Sequence, residues 1–180
     1  MPTDVVIVSA ARTPIATAYK GSLAGVDAFT LAEIAMGAAV ERSGVAADAF
    51  EDIGFGESMQ GGGNIGRYAA NQLGLTNLPG VATQRWCASG MAGTQWIAAN
   101  IAAGMIDAGI AGGVESMSTA PGTSKPGADG TPEFWLSPAN LETDDAPPCF
   151  GFPGQTGRRG GPRRSTRPRA WATTPPAWPA

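Results

Sequence analysis

Cys87 stands where residues 81–86 (VATQRW) give way to the small-residue run 88–94 (ASGMAGT). The first stretch reads as a strand over 81–86 and the second as a helix over 87–103, with the thiol capping the helix. A thiol in that place is chemically useful. Free backbone amides and the positive end of the helix dipole stabilise a thiolate, the nucleophilic form of cysteine. At the ordinary value of about 8.5 only roughly 3% would be ionised at pH 7, and each unit of depression gains nearly tenfold. Gly90 and Gly93 carry no Cβ, so a partner chain or an acyl substrate can come close to the first turn. On spacing alone, a buried structural thiol is the commoner fate of an intracellular cysteine.

Other patterns carry less chemistry. Residues 61–66 (GGGNIG) match G-x-G-x-x-G, but no acid lies between Glu57 and Asp107 to hold a ribose, so a loop that permits close packing is expected instead of a dinucleotide site. Arg67 and Arg85 are candidates for phosphate contact, with solvated or paired surface groups as the dull alternative. Glu115 follows an expected strand and should lie near a pocket while holding the following turn by hydrogen bonds. Met91 and Met117 suit an acyl tunnel, although methionines so placed more often fill a core. No metal site is expected: the chain has no histidine, and its two cysteines lie too far apart for ligand spacing.

Several elements must position these residues. The β-branched run from Asp4 to Ala10 predicts a buried strand closed by Arg12, Thr13 and Pro14. Thr30 to Glu33 resembles a capping box, with Asp27 as a competing N-cap, for a helix that places Leu31, Ile34, Ala35, Ala38 and Ala39 on one face and stops at Ser43 and Gly44. A second strand is predicted over 53–56, a helix over 65–73 closed by Gly74, then strand 81–86, helix 87–103 ended by Gly104, and strand 108–114. Such alternation implies βαβ units and a mostly parallel sheet flanked by helices, in which chemistry gathers at the carboxyl ends of strands. Cys87 lies at such an end. From Thr119 onward Pro, Gly, Ser, Thr and Asp predict irregular chain.

Four separated blocks then matter together: 6–14 (VIVSAARTP), 56–60 (GESMQ), 86–92 (WCASGMA) and 112–118 (GGVESMS). Their order and spacing resemble the N-terminal part of a thiolase over roughly residues 4–150. The resemblance implies an α/β fold, a thiolase-like layered half-fold that is incomplete here. Residues 1–118 would form the N-terminal domain, and 119–150 the start of the loop domain that shapes the coenzyme A site. By this likeness Cys87 corresponds to the cysteine that becomes acylated during thiolysis or condensation of 3-ketoacyl-CoA, a transferase activity of fatty acid metabolism. The ESMS block at 115–118 favours thiolase over the related β-ketoacyl synthases, and the residues around Cys87 look closer to degradative than to biosynthetic members. Acyl-CoA and CoA are the implied partners, with the coenzyme A thioester as substrate and no resident cofactor. A homo-oligomer is also implied, with residues 61–66 near the dimer contact.

The family takes its base from a Gly-His-Pro segment and a second cysteine in its C-terminal half. Cys149, in PPCF, does not match that second motif. The chain therefore reads as a truncated thiolase, inactive alone. The alternative is a non-catalytic fragment or interaction module with a basic tail.

Charge and composition sharpen that picture. All 15 acidic residues lie in 1–150, whereas the last 30 residues hold six arginines, six prolines, no acid and no Val, Ile, Leu or Met. Residues 151–180 are thus expected to be a disordered basic tail. Its arginines and Trp171 and Trp178 would suit nucleic acid, but the tail begins where the family likeness ends, and an out-of-frame reading of GC-rich DNA is the preferred explanation. No nucleic-acid or membrane partner is expected. The 43% hydrophobic content is ordinary for a globular chain. No apolar stretch reaches membrane-spanning length, and the start lacks a signal-peptide pattern, which predicts a cytoplasmic protein with reduced cysteines.

Overall fold

The computed structural model describes residues 4–60, 62–121 and 124–134. The basic tail, its frameshift reading and Cys149 lie outside the described residues.

Three strands and three helices form the α/β unit. They are α1 (Ala28–Ser43), β1 (Asp52–Gly56), α2 (Ile65–Gln72), β2 (Val81–Thr83), α3 (Ser89–Ala102) and β3 (Gly109–Gly113). The sheet is parallel throughout, in the order β2-β1-β3, with Gly54 opposite Val81 on one side and Ala111 on the other. Strand β1 is therefore central, and the chain crosses it between β2 and β3 by way of α3. This is the parallel, helix-flanked arrangement expected from the alternating pattern.

The sequence of β1, DIGFG, explains how both faces are covered. Alternate residues of a strand point to opposite faces. Ile53 and Phe55 point toward α2, where a Cβ on Gly66 would fall 2.5 Å from that of Phe55 and 3.1 Å from the Ile53 branch. Together with Ala28, Met36, Ile65 and Ala69 they form the core, Ile53 and Ile65 being fully buried. Gly54 and Gly56 point the other way and receive α3. A Cβ on Gly54 would lie 2.5 Å from the Gly93 carbonyl oxygen, and one on Gly113 of β3 would lie 2.8 Å from Cα of Gly90. The approach is backbone against backbone. Gly93 is thus used up by the protein's own sheet, contrary to the sequence expectation, whereas Gly90 packs on the sheet and still lines the cavity beside Cys87.

Helix α1 starts one cap earlier than the box at Thr30 implied. Asp27 Oδ1 accepts a 2.7 Å hydrogen bond from the Thr30 amide, and Gly44 closes the helix in the left-handed region at φ 67°. Its buried face is Ala28, Leu31, Ala32 and Met36, while Ile34, expected inside, is 56% exposed. The earlier start does not rotate a helix; the α2 neighbour selects which stripe is covered, and the alanine-rich sequence offers more than one.

The largest departure is at the N-terminus. Residues 4–10 form no strand, and Val6, Ile7 and Val8 are 72%, 82% and 62% exposed. They face β3 across a cavity of about 390 Å³. A β-branched run fixes extended backbone, but a strand also needs a hydrogen-bonding edge in register, and no described strand supplies one to this segment. Strand 81–86 is also shorter than expected, because the chain leaves the sheet after Thr83. The expected irregular region contains instead a short antiparallel hairpin, β4 (Ser124–Pro126) with β5 (Pro132–Phe134). Its turn is closed by Asp129 Oδ1, which accepts from the amide and the hydroxyl of Thr131 at 2.9 and 2.6 Å, bonds that hold the carboxyl below its usual range.

Two stability outcomes follow from these contacts. Ile53→Ala should cost about 2–5 kcal/mol in chemical denaturation, whereas Ile7→Ala should stay within about 0.5 kcal/mol; equal effects would mean that the 4–10 segment is buried in solution. Gly93→Ala should destabilise by about 1–3 kcal/mol or more, because its Cβ meets the rigid backbone of Gly54. A neutral result would show that α3 can lift from β1.

Candidate active site

The carboxyl ends of β1 and β3, Gly56 and Gly113, open onto a cavity of about 420 Å³. Cys87 lines it, with Glu57, Ser58, Gly90, Glu115 and Met117 among the neighbours. The cysteine is exposed and free, which sets aside the buried structural reading. A second cavity of about 520 Å³, bounded by residues 11–18 and the start of α1, shares Gly113, Val114, Glu115 and Met117 with the first. Cys87 therefore sits beside a cleft long enough for more than a single small group.

The thiol is not the helix cap that the sequence suggested. Helix α3 begins at Ser89, its N-cap is Ala88, and no side chain caps it. The reason is the turn in front of it. Trp86 has φ 51°, in the left-handed region that a bulky residue adopts only at a cost, of order 1–3 kcal/mol. The Ala88 amide donates to the Arg85 carbonyl and the Ser89 amide to the Trp86 carbonyl, both at 3.0 Å. Cys87 thus rides on a tight loop between β2 and α3, two residues before the helix proper.

The loop 57–60 forms the opposite wall, and two carboxylates shape it. Glu57 is 7% exposed. Its Oε2 accepts from the Ile65 amide at 2.8 Å and its Oε1 from the Asn64 amide at 3.3 Å, so the carboxylate sits on the positive end of α2. That end is also capped by Asn64, whose Oδ1 accepts from the Arg67 amide at 3.2 Å. The glycine-rich loop hence offers its helix terminus to the protein's own acid. Glu115 accepts from the Met59 amide at 3.0 Å and from the Gln60 side chain. It ties the chain just past β3 to the 57–60 loop, instead of bracing its own following turn as the sequence suggested. The buried Ser58 hydroxyl has no hydrogen-bond partner among the described residues.

The remaining candidates separate cleanly. Arg67 donates to the Thr76 carbonyl at 2.6 Å and to the Asn71 side chain, a local brace at the far end of α2. Arg85 reaches Gln95 at 3.2 Å on the surface. Neither enters the Cys87 cavity. Met117 lines both cavities, whereas Met91 is 62% exposed and lines neither; neither methionine is a core filler. Glu57, Ser58 and Ser89 were not singled out from sequence. For Glu57 a signal existed in its spacing from the start of α2 eight residues on.

Comparison with known proteins bears on this site. Residues 5–132 match the family model described as Thiolase, N-terminal domain. The chain belongs to the thiolase family. It is 39% identical over 121 residues to acetyl-CoA acetyltransferase B, mitochondrial, of Xenopus laevis, covering 66% of this chain and 29% of that protein. It is 42% identical over 123 residues to a beta-ketoadipyl-CoA thiolase of Pseudomonas putida, covering 66% and 30%. Among solved structures, the Acat5 thiolase of Ascaris suum in complex with coenzyme A superposes with a TM-score of 0.63 at 29% identity, covering 69% of this chain and 33% of that one. The Bacillus anthracis acetyl-CoA acetyltransferase superposes equally well at 35% identity, over 67% and 31%. This thiolase-family chain spans about 30% of the length of the curated relatives it matches. No helix among its described residues is long and apolar enough to cross a membrane, and several of its relatives are mitochondrial.

Removing the buried carboxylate tests the wall opposite the thiol. Glu57→Ala should lower stability by about 1–3 kcal/mol, since it orphans two amides at the α2 terminus. Urea denaturation measures this, and an unchanged midpoint would place the carboxylate in solvent.

Proposed function

We propose that the chain carries the acyl-accepting step of a thiolase, with Cys87 as nucleophile. The observation that supports this most is the exposed thiol in the cavity at the carboxyl ends of β1 and β3, inside the region of family likeness. The Cys87 thiolate attacks the carbonyl carbon of an acyl-CoA, a carbon–sulfur bond forms, and a tetrahedral oxyanion results. Its collapse breaks the bond to the coenzyme A sulfur, which leaves as thiolate and takes up a proton. The amides of Ala88 and Ser89 are engaged in the turn, so the oxyanion must draw on other donors around the cavity.

The second half-reaction requires a base to deprotonate the α-carbon of an incoming acyl-CoA, or in reverse to activate the CoA thiol. These 180 residues contain no histidine. Glu57 and Glu115 line the cavity, but both are committed to backbone amides and shape the wall. We therefore assign the acylation half of the reaction to this chain and no complete Claisen cycle.

Incubation with acetyl-CoA followed by peptide mass spectrometry should place one acetyl group, a gain of about 42 Da, on Cys87. Cys87→Ala should abolish it. Persistence of the adduct in that variant, or its absence from the unsubstituted chain, would remove Cys87 from the mechanism. Purified chain should not thiolyse acetoacetyl-CoA at an enzymic rate.

A further inference from the structure

Two side chains hold the loop that carries Cys87: Gln84 Oε1 accepts from the Trp86 amide at 2.8 Å, and Ser89 fastens the loop from inside. Ser89 is 4% exposed, although it opens a helix. Its hydroxyl oxygen accepts from the Arg85 amide at 2.9 Å and its proton is donated to the Trp86 carbonyl at 2.6 Å. These two partners lie in the residues that precede the cysteine, and the second belongs to the left-handed Trp86 itself. The Ser89 carbonyl accepts from the Thr83 hydroxyl at 2.9 Å, tying the same residue to β2. Both ends of the loop are thus fastened to Ser89, while Cys87 between them is free to face the cavity.

We propose that Ser89 is a positioning residue for Cys87: its hydroxyl holds the left-handed turn at Trp86 and thereby sets the orientation and reactivity of the thiol. An ordinary turn would relax residue 86 toward negative φ, where its Cβ is unstrained. A rotation there swings the following residue, so the direction of the thiol depends on the hydroxyl that fixes the Trp86 carbonyl. The hydroxyl does both jobs because it donates and accepts at once. Alanine at 89 would keep the helix and the backbone amide bond to the Trp86 carbonyl, but lose both bonds of the hydroxyl and so loosen the turn.

This inference rests on the assignment of Cys87 as the nucleophile, and alkylation separates the two. Iodoacetamide modification of Cys87, read at the peptide level across a pH series, reports thiol reactivity without coenzyme A. Ser89→Ala should slow modification about tenfold and displace the pH profile, the size expected for loss of one to two hydrogen bonds. Ser89→Thr, which keeps the hydroxyl, should recover most of the rate. A folded Ser89→Ala chain that alkylates with the unsubstituted rate and profile overturns the proposal. Should that variant fail to fold, substitutions at 86 decide the matter with Ser89 intact. Trp86→Gly, which tolerates positive φ, should stay within about threefold, and Trp86→Val, which does not, should slow about tenfold. Equal rates for the two overturn it. If alkylation depends on Ser89 and Trp86 as stated but no acetyl group is taken from acetyl-CoA, the positioning role stands and the acyl-transfer reading fails.

Discussion

Everything near the thiol depends on how closely α3 lies against the sheet. Gly54 and Gly56 on β1, Gly113 on β3, and Gly90 and Gly93 on the helix bring backbone against backbone, with no side chain between. Close-packed interiors respond poorly to an added methyl group where the neighbour is main chain, because main chain cannot rotate aside. The contact therefore fixes the height and direction of the first turn of α3 over the strand ends. It also decides where the preceding loop must pass, and Cys87 is in that loop.

The same strand secures the other layer. Ile53 and Phe55 alternate with the two glycines and fill the space under α2, so a five-residue strand serves two unlike packings at once. One face is sealed by large side chains and the other by their absence. At the carboxyl end of this strand the chain turns into residues 57–60, whose acid anchors the start of α2 while the carboxylate of Glu115 pins their backbone from β3. The two carboxylates of the cavity wall are thus already satisfied by hydrogen bonds, and the exposed thiol lies among them.

The placement of Cys87 also involves backbone strain held by local bonds. A tryptophan at positive φ next to an exposed thiol is an expensive arrangement, and Ser89 offers a compact means of keeping it. The strain and its restraint lie within five residues, yet both depend on Ser89 being buried by the α3 contact. Local turn geometry and long-range packing are coupled at that residue.

Much of this was legible from residue order. Alternating β-branched and small-residue stretches announced the strands and helices from 52 to 113, Gly44, Gly74 and Gly104 marked helix ends, and four spaced motifs pointed to the family and to Cys87. Those features are local or nearly so, and local chemistry dictates them. What the tertiary structure decided is which surfaces meet. It left residues 4–10 outside the sheet without an edge to join, chose Met36 over Ile34 for burial, and spent Gly93 on the sheet. It moved the helix start past the cysteine to Ser89, and brought Glu57 and Glu115 to the wall opposite. Pairing, burial and turn strain depend on partners distant in sequence, and a pattern of residue types does not name those partners.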